Sequence, residues 1–592
     1  MLSMVREDGE EQDQWLGVAN TLSIDERQEL LNIVNTLASE HSSNILSCCA
    51  YGSKVSGYAR ADSDYDILLV LEEYKDLIKY VYMHDERLNA SVLIVDANAM
   101  LKDAERAMLG EFVIGRLLNP YEPLYNIDYL KKVETIYKKR VILEELDELI
   151  RSNPLALTDE LVIPVEYFLF SKLKKRAKIY PHAVYSYIKT YTGSNAVRNI
   201  ASSKRGFIDA LKELEKEGIL ELVVHNNNYD YSYNNLYIRV LKPPRLNGTF
   251  VCNEVLRGMF AWLVHTYAGR KTLNFFSAEA RSKLKRRKEI KSITIPLNLE
   301  YPSSLLKVNE GIVIDSKNYI ARIAESLGFY GDYSYTLTSM GDKHAATMLC
   351  SISSKDGRIE RVVVKRYTDL KIAKWIALNL WLLGIRRSYD VSPYIRMRNE
   401  YLGVRKVRYL GSNIRTPSIL GISFKNRIMV FKYVDGIPLS KMIDELMNDK
   451  GYSKTTIYDT LEYIHRYGSI LALVHTNKFV LRDTKPSNVL ISKSDGICLT
   501  DFEQFTTLKS INDASWDIAC FSYYSLLFTK NYDNARIIMR AFIDGYREYN
   551  SNYKEILKNA AKIAYFLPFY PAITLGMVKV VRDELLNTSN KS

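Results

Sequence analysis

Only six cysteines occur in 592 residues (Cys48, Cys49, Cys252, Cys350, Cys498 and Cys520), and no two form a C-x-x-C pair. Lying inside apolar runs, they exclude a cysteine-ligated metal site and a disulfide scaffold, and read as buried free thiols in a reducing compartment. Long apolar runs are also lacking. The longest uncharged one, Ile563 to Val578, has 16 residues and contains Pro568 and Pro571, short of the ~20 a membrane helix needs. No membrane partner is expected. The N-terminal stretch MLSMVREDGEEQDQW is acidic and without an apolar core, so neither a secretory signal nor a transit peptide is expected, and the location should be cytoplasmic. Glutamine is scarce: four, against 43 tyrosines. That bias belongs to proteins from hot environments, where thermolabile amides are avoided; the abundant asparagine runs against it.

What is present is a folded multidomain chain. Hydrophobic residues at 47% and charged residues at 25% exclude general disorder, and the length exceeds what one core organises. The net charge of +12 favours polyanionic partners such as nucleotides, nucleic acid or acidic surfaces, without choosing among them.

Chemistry concentrates in VLRDTKPSNVLI, from Val480, followed by ICLTDFEQF. Asp483 can accept the proton of an attacking hydroxyl, Lys485 can reach a transferring phosphoryl group, and Asn488 and Asp501 offer oxygen ligands to Mg²⁺ or Mn²⁺. The order resembles the protein-kinase catalytic loop H-R-D-L-K-P-x-N followed by D-F-G, with Leu481 in place of the histidine, Thr484 of the leucine and Glu503 of the glycine. That resemblance implies a bilobal kinase-like fold over 330–592 and ATP as substrate. It makes Lys365, in RVVVK, the strand lysine that meets the nucleotide phosphates, and Glu400, in RNEY, its helix partner. In IMVFKYVDG it places Phe431 at the adenine pocket, with the backbone of Lys432 to Val434 at the adenine edge, and makes Asp517 the aspartate that steadies the catalytic loop. The G-x-G-x-x-G loop is missing, only Gly341 standing in the first hairpin, and no A-P-E motif follows Asp501. These departures resemble RIO-type kinases and the small archaeal kinase of the KEOPS tRNA-modification complex, which implies a serine/threonine protein acceptor. The D-F-E variant is also similar to choline and aminoglycoside phosphotransferases, which leaves a small-molecule acceptor open.

A second set of carboxylates lies near the N-terminus. A helix over residues 23–40, capped by Ser23 with Glu26 three residues on, leads into a strand over Ile45 to Tyr51. After Gly52-Ser53 comes SDYDILLVL, where Asp64 and Asp66, two apart on a strand, project from one face and can share a divalent cation. Asp96, ending the apolar run from Ser91, is the expected third carboxylate. Gly52 and Ser53 can approach a triphosphate without a blocking side chain. Together these residues read as nucleotidyl transfer assisted by metal. Gly52-Ser53, ten residues, Asp64-x-Asp66 and Asp96 resemble the nucleotidyltransferase superfamily of DNA polymerase beta. The resemblance implies a mixed sheet with helices over 20–130.

Between the two lie a helical extension (131–180), a segment of helix, helix and hairpin (181–245) that resembles a winged helix, and a helical, basic linker with the lead-in to the second catalytic domain (246–329). The second helix of that segment, with Phe207, Leu211 and Leu214 on one stripe, also carries Asp209, Glu213, Glu215 and Glu217, which favours substrate positioning or protein docking over DNA reading. Arg281 to Lys291 holds seven basic residues in eleven and is the best candidate for contact with tRNA or another nucleic acid. The fold class is therefore multidomain α/β and α+β, and the function a bifunctional nucleotide-dependent transferase. The rival is a regulatory nucleotide- or nucleic-acid-binding protein with one inactive site.

Overall fold

The computed structural model describes residues 21–592 apart from 62, 85–87, 182, 225–235, 245–253, 270–294, 341–345, 370–375, 377–378, 380–388, 448–453, 493–495, 528–530, 571 and 591–592. Gly341, Cys252, the asparagine-rich turn, the basic run Arg281 to Lys291 and most of the apolar insert IAKWIALNLWLLGI lie outside the described residues. The chain divides into two compact units, Met1–Val308 and Asn309–Ser592, each mixing helices with sheets. No helix among the described residues is long and apolar enough to cross a membrane.

Unit 1 begins with α1 (Ile24–Glu40), whose first turn is closed by a capping box: the Ser23 hydroxyl accepts the Glu26 amide and the Glu26 carboxylate accepts the Ser23 amide, satisfying two amides with no partner inside the helix. Its buried stripe, Leu30, Val34 and Leu37, packs on a five-stranded sheet in the order β3-β4-β2-β1-β5. The strands are β1 (Ile45–Tyr51), β2 (Tyr65–Leu71), β3 (Ile78–His84), β4 (Asn89–Asp96) and β5 (Glu122–Tyr125). Residues Ile67 to Leu71 and Val92 to Val95 are buried on both faces, as an unbroken Val/Ile/Leu run requires. A four-residue helix, α2 (Ser53–Ser56), follows β1, and α3 (Ala97–Arg106) follows β4. β1 runs antiparallel to both β2 and β5, whereas β2 and β4 are parallel.

Three helices, α4 (Ile127–Ser152), α5 (Val165–Ile179) and α6 (Ala183–Tyr191), continue the unit with α7 (Ala196–Lys216) and a hairpin of β7 (Leu220–Val224) and β8 (Leu236–Val240). β8 also pairs with β6 (Leu161–Pro164), and β6 with β9 (Lys307–Val308). Phe207, Leu211 and Leu214 of α7 are fully buried, and Lys139 of α4 bonds Glu213 of that helix and Glu217, which caps its C-terminus. The helix is thus docked on its own unit along the stripe that its sequence spacing indicates, with part of its acidic face engaged by α4.

In unit 2 six strands assemble in the order β10-β14-β15-β13-β12-β11: β10 (Ile312–Val313), β11 (Tyr333–Ser339), β12 (Thr347–Ser354), β13 (Ile359–Arg366), β14 (Ile419–Ser423) and β15 (Ile428–Lys432). One face buries Val362, Val364, Ile428 and Val430 against Ile320, Ile323 and Ala324 of α8 (Tyr319–Ser326). The alternate residues, including Lys365 and Phe431, occupy the opposite face. A long helix, α9 (Pro393–Arg408), separates β13 from β14 in sequence. The rest is mostly helical, with α10 (Leu439–Met447), α11 (Lys454–Thr476), α12 (Ile511–Ser525) and α13 (Tyr532–Tyr549); α10 packs on the short hairpin of β18 (Val489–Ser492) and β19 (Gly496–Leu499), and α11 packs on α13. β16 (Ile437–Pro438) pairs with β18, and β17 (Phe479–Val480) with β20 (Thr506–Thr507).

Candidate functional site

In unit 1 the turn after β1 is shaped by Gly52, whose φ of 85° is a conformation that favours glycine. Glycine is required there for a second reason: a Cβ would lie 2.1 Å from Asp66 Oδ2. Asp66 stands opposite Tyr51 in the β1–β2 ladder, so the turn and the carboxylate are held side by side by strand register. Gly52, Ser53, Asp64 and Asp66 line one cavity of about 470 Å³. Burial in its wall pushes the Asp66 carboxyl up to about 6; neighbouring Asp64 adds to the rise and Arg116 opposes it.

Asp96 is not part of this group. Because β2 and β4 are parallel, Asp66 faces Ser91 and Asp96 faces Leu71, five residues further along, or roughly 16 Å at the rise of a strand. Its carboxylate is spent elsewhere: Oδ1 accepts the Ala99 amide at 3.0 Å, capping α3, and Oδ2 accepts the Tyr74 amide at 3.1 Å. The expectation of Asp96 as third metal ligand is therefore corrected. An apolar run beside β2 was legible in the sequence, but the end at which its aspartate would emerge depended on strand direction.

The same cavity carries two cations that no motif announces. Arg116 donates to the Tyr80 hydroxyl at 2.9 Å and lies over the rings of Phe112 and Tyr51, while its buried Nε makes no hydrogen bond. Arg176, from α5, donates to the Glu111 carbonyl at 2.7 Å and to the Tyr187 hydroxyl at 3.2 Å. It passes so close to Gly115 that a Cβ there would lie 2.1 Å from the guanidinium carbon. The loop bearing Arg116 is pinned by Asp103, whose buried carboxylate accepts the amides of Leu109, Glu111 and Ile114. Under it Glu111, 1% exposed, meets Lys172 at 2.7 Å and Arg140 at 2.9 Å. α6 supplies Tyr185, Ser186, Tyr187 and Thr190 to the wall. From α7, Arg198 and Asn199 donate to the carbonyls of Val55 and Ser56, so the helix pair of the middle segment holds the short helix α2 in place.

In unit 2 the strand lysine Lys365 places its ammonium 2.7 Å from Glu400 Oε2, 2.6 Å from Asp501 Oδ1 and 3.2 Å from Glu503 Oε1. Burial disfavours the ammonium, but Asp501, Glu400 and Glu503 outweigh it and hold Lys365 well above its usual range. Burial in turn pushes Glu400 up to about 7, against the pull of Lys365 and with Asp501 and Glu503 adding to the rise. Oxygens of Glu400, Asp501 and Glu503 lie within 4.8 Å of one another, a set able to hold a cation.

Asp483, Asn488 and Asp501 line one small cavity. Lys485 lies 2.8 Å from Asp483 Oδ1, and Asn488 donates its side-chain N–H to the Asp483 carbonyl at 2.9 Å. With its N–H so used, the Asn488 side chain still carries an amide oxygen, the ligand type Mg²⁺ takes. Buried Asp517 fixes the loop from below, accepting the amides of Leu481 at 2.8 Å and Arg482 at 2.7 Å and facing His475 Nε2 at 3.2 Å. Opposite Leu481, where the motif would have histidine, the imidazole thus comes from α11.

Phe431 pairs with Val363 on the face that carries Lys365. The amides of Lys432 and Tyr433 are already used, by Ser418 at 2.9 Å and Arg361 at 3.1 Å. Of the three positions expected at the adenine edge, Val434 therefore has the amide left to offer among the described residues.

No protein-family model and no curated protein matches the chain.

Proposed function

We propose that the chain is a bifunctional nucleotide-dependent transferase, with a site for nucleotidyl transfer from a nucleoside triphosphate in unit 1 and a site for ATP-dependent phosphoryl transfer to protein serine or threonine in unit 2. The single observation that carries the reading is the convergence of Lys365, Glu400 and Asp501 with the loop of Asp483, Lys485 and Asn488. Residues from four stretches of sequence spanning more than a hundred positions meet in an arrangement that would suit a triphosphate, a base and a divalent cation.

For unit 2 the resemblance to RIO-type and KEOPS-associated kinases implies a bilobal kinase-like fold, and the sheet over a helical half is consistent with it. Lys365 would meet the nucleotide phosphates while Glu400 restrains it. Asp483 would accept the acceptor's hydroxyl proton, and Lys485 would neutralise charge on the transferred group. The donors present, Asn488 Oδ1 and the Asp501 carboxylate, fit Mg²⁺ or Mn²⁺, which when bound would neutralise charge on the phosphate oxygens. The short stretch after Asp501 keeps a small-molecule acceptor as the second reading.

For unit 1 the polymerase-beta-like pattern is supported by the cavity that gathers Gly52, Ser53, Asp64 and Asp66. Asp64 and Asp66 fit a divalent cation: both open on the cavity, and Gly52 leaves the space at Asp66 Oδ2 that a Cβ would fill. Arg116 and Arg176 would face the triphosphate and the leaving pyrophosphate. A polyanion needs such cations in a pocket from which water is partly excluded. The middle segment, winged-helix-like in its order of elements, would serve here as the wall of the nucleotide pocket. Contact with tRNA or another nucleic acid would fall to Arg281 to Lys291.

ATP labelled at the α- or γ-phosphate separates the two activities. The reading expects α-label on an acceptor from the cell extract, and γ-label on protein, including the chain itself. Absence of α-label transfer to RNA, protein or small molecule would make unit 1 a nucleotide-binding regulatory domain.

A further inference from the structure

We propose that Glu503 is a positioning residue of the unit 2 site. Held between Lys365 and Arg396, it ties residues 501–504 to α9, so that lysine, Glu400 and Asp501 are assembled before a nucleotide arrives.

Position 503 is where the resembled motif has glycine, and the glutamate there is not a surface substitution. It is 5% exposed, with Oε1 3.2 Å from Lys365 Nζ and Oε2 2.8 Å from Arg396 NH1. Arg396 is fully buried, and its other arm donates to the Thr368 carbonyl at 2.9 Å. A buried carboxylate bridging two buried cations persists only where geometry satisfies all three.

The neighbours of Glu503 fasten the same helix. Asn399 donates to the Glu503 carbonyl at 3.3 Å and to Asp390 Oδ2 at 2.9 Å. Gln504 accepts the Asp390 amide at 2.7 Å and donates to the Asp390 carbonyl at 3.1 Å. Phe502 packs on Gly403, where a Cβ would fall 2.6 Å from Phe502 Cβ. Arg396, Asn399, Glu400 and Gly403 follow i, i+3, i+4, i+7 spacing and so form one face of α9. All four residues from Asp501 to Gln504 are thus held, three against that face or Lys365 and the fourth through Asp390.

The consequence concerns Lys365. To meet a phosphate it must give up Asp501, and with Glu503 in place it remains restrained by two carboxylates rather than by Glu400 alone. The helix carrying Glu400 has no need of a separate event to bring it in.

The consequence for turnover rests on the phosphoryl-transfer reading, but the clamp is measurable without turnover. Hydrogen exchange by mass spectrometry on the full-length chain would compare wild type with Glu503→Gln, following peptides from 393–408 and, as control, from α11. Exchange in 393–408 should quicken roughly tenfold while α11 is unchanged. In γ-label transfer the KM for ATP should rise roughly tenfold with kcat altered less than threefold, and Glu503→Asp should recover part of the loss. Unchanged exchange in 393–408, or equal quickening in α11, overturns the proposal. Should exchange respond as stated while wild type transfers no γ-label, the clamp stands and the phosphoryl-transfer reading falls. If Glu503→Gln does not fold, Arg396→Lys, which keeps the charge but cannot reach Thr368 and Glu503 together, is read by the same criteria.

Discussion

A methyl group at position 52 would lie 2.1 Å from Asp66 Oδ2 on a backbone already at φ 85°, so Gly52→Ala should displace the carboxylate that the unit 1 site depends on. The expected outcome is a loss of α-label transfer of at least roughly a hundredfold, with γ-label transfer kept within about twofold; retention of α-label transfer would remove Asp66 from the site. The raised pKa of Asp66 gives a second outcome at this scale. Burial pushes its carboxyl up to about 6 in the folded chain, against ~4 when unfolded. Between those values the folded chain holds a proton that the unfolded chain has released, so this group's contribution to stability declines as pH rises through that window. Asp66→Asn should therefore raise the melting temperature at pH 7.5, and the gain should vanish towards pH 4. In wild type, Mn²⁺ binding to unit 1 should weaken as pH falls below about 6; a flat melting difference across this range would contradict the assignment. In unit 2, Asp483→Ala should cut γ-label transfer by at least roughly a hundredfold, the scale of losing a positioned base.

Strand register decides which residues meet. Asp64 and Asp66 were legible as a pair two residues apart beside an apolar strand, although only Asp66 lies on β2 and Asp64 just precedes it; both line the cavity. Asp96 was not, because its place depended on whether its strand ran with or against β2. Since it caps α3, Asp96→Asn, which preserves a capping side chain, should leave α-label transfer within about twofold. Asp96→Ala should cost about 1 kcal/mol of stability with α-label transfer of the folded protein retained; loss of transfer in folded Asp96→Asn would restore it to the site. Arg116 and Arg176 were hidden for a different reason. Each looks like an ordinary charge in its own stretch, and only the Asp103-pinned loop and the packing of α5 bring them to one cavity. The α7 stripe of Phe207, Leu211 and Leu214 was readable from spacing, while the attachment of α7 to α2 through Arg198 and Asn199 was not, since it links residues more than 140 positions apart.

At the scale of the whole molecule the central claim is that the chain holds two chemically separate transferase sites, one in each compact unit. Each has its own carboxylates and its own cations, and neither borrows a residue from the other's set. The most direct test is to supply ATP labelled at the α- or the γ-phosphate to three forms of the full-length protein: wild type, Asp64→Ala with Asp66→Ala, and Asp483→Ala. Wild type should transfer both labels. The double variant should lose α-label transfer and keep γ-label transfer, and Asp483→Ala should do the reverse. A folded double variant that loses both activities would contradict the account, because a single shared nucleotide or a dependence of one site on the other would then replace two separate sites.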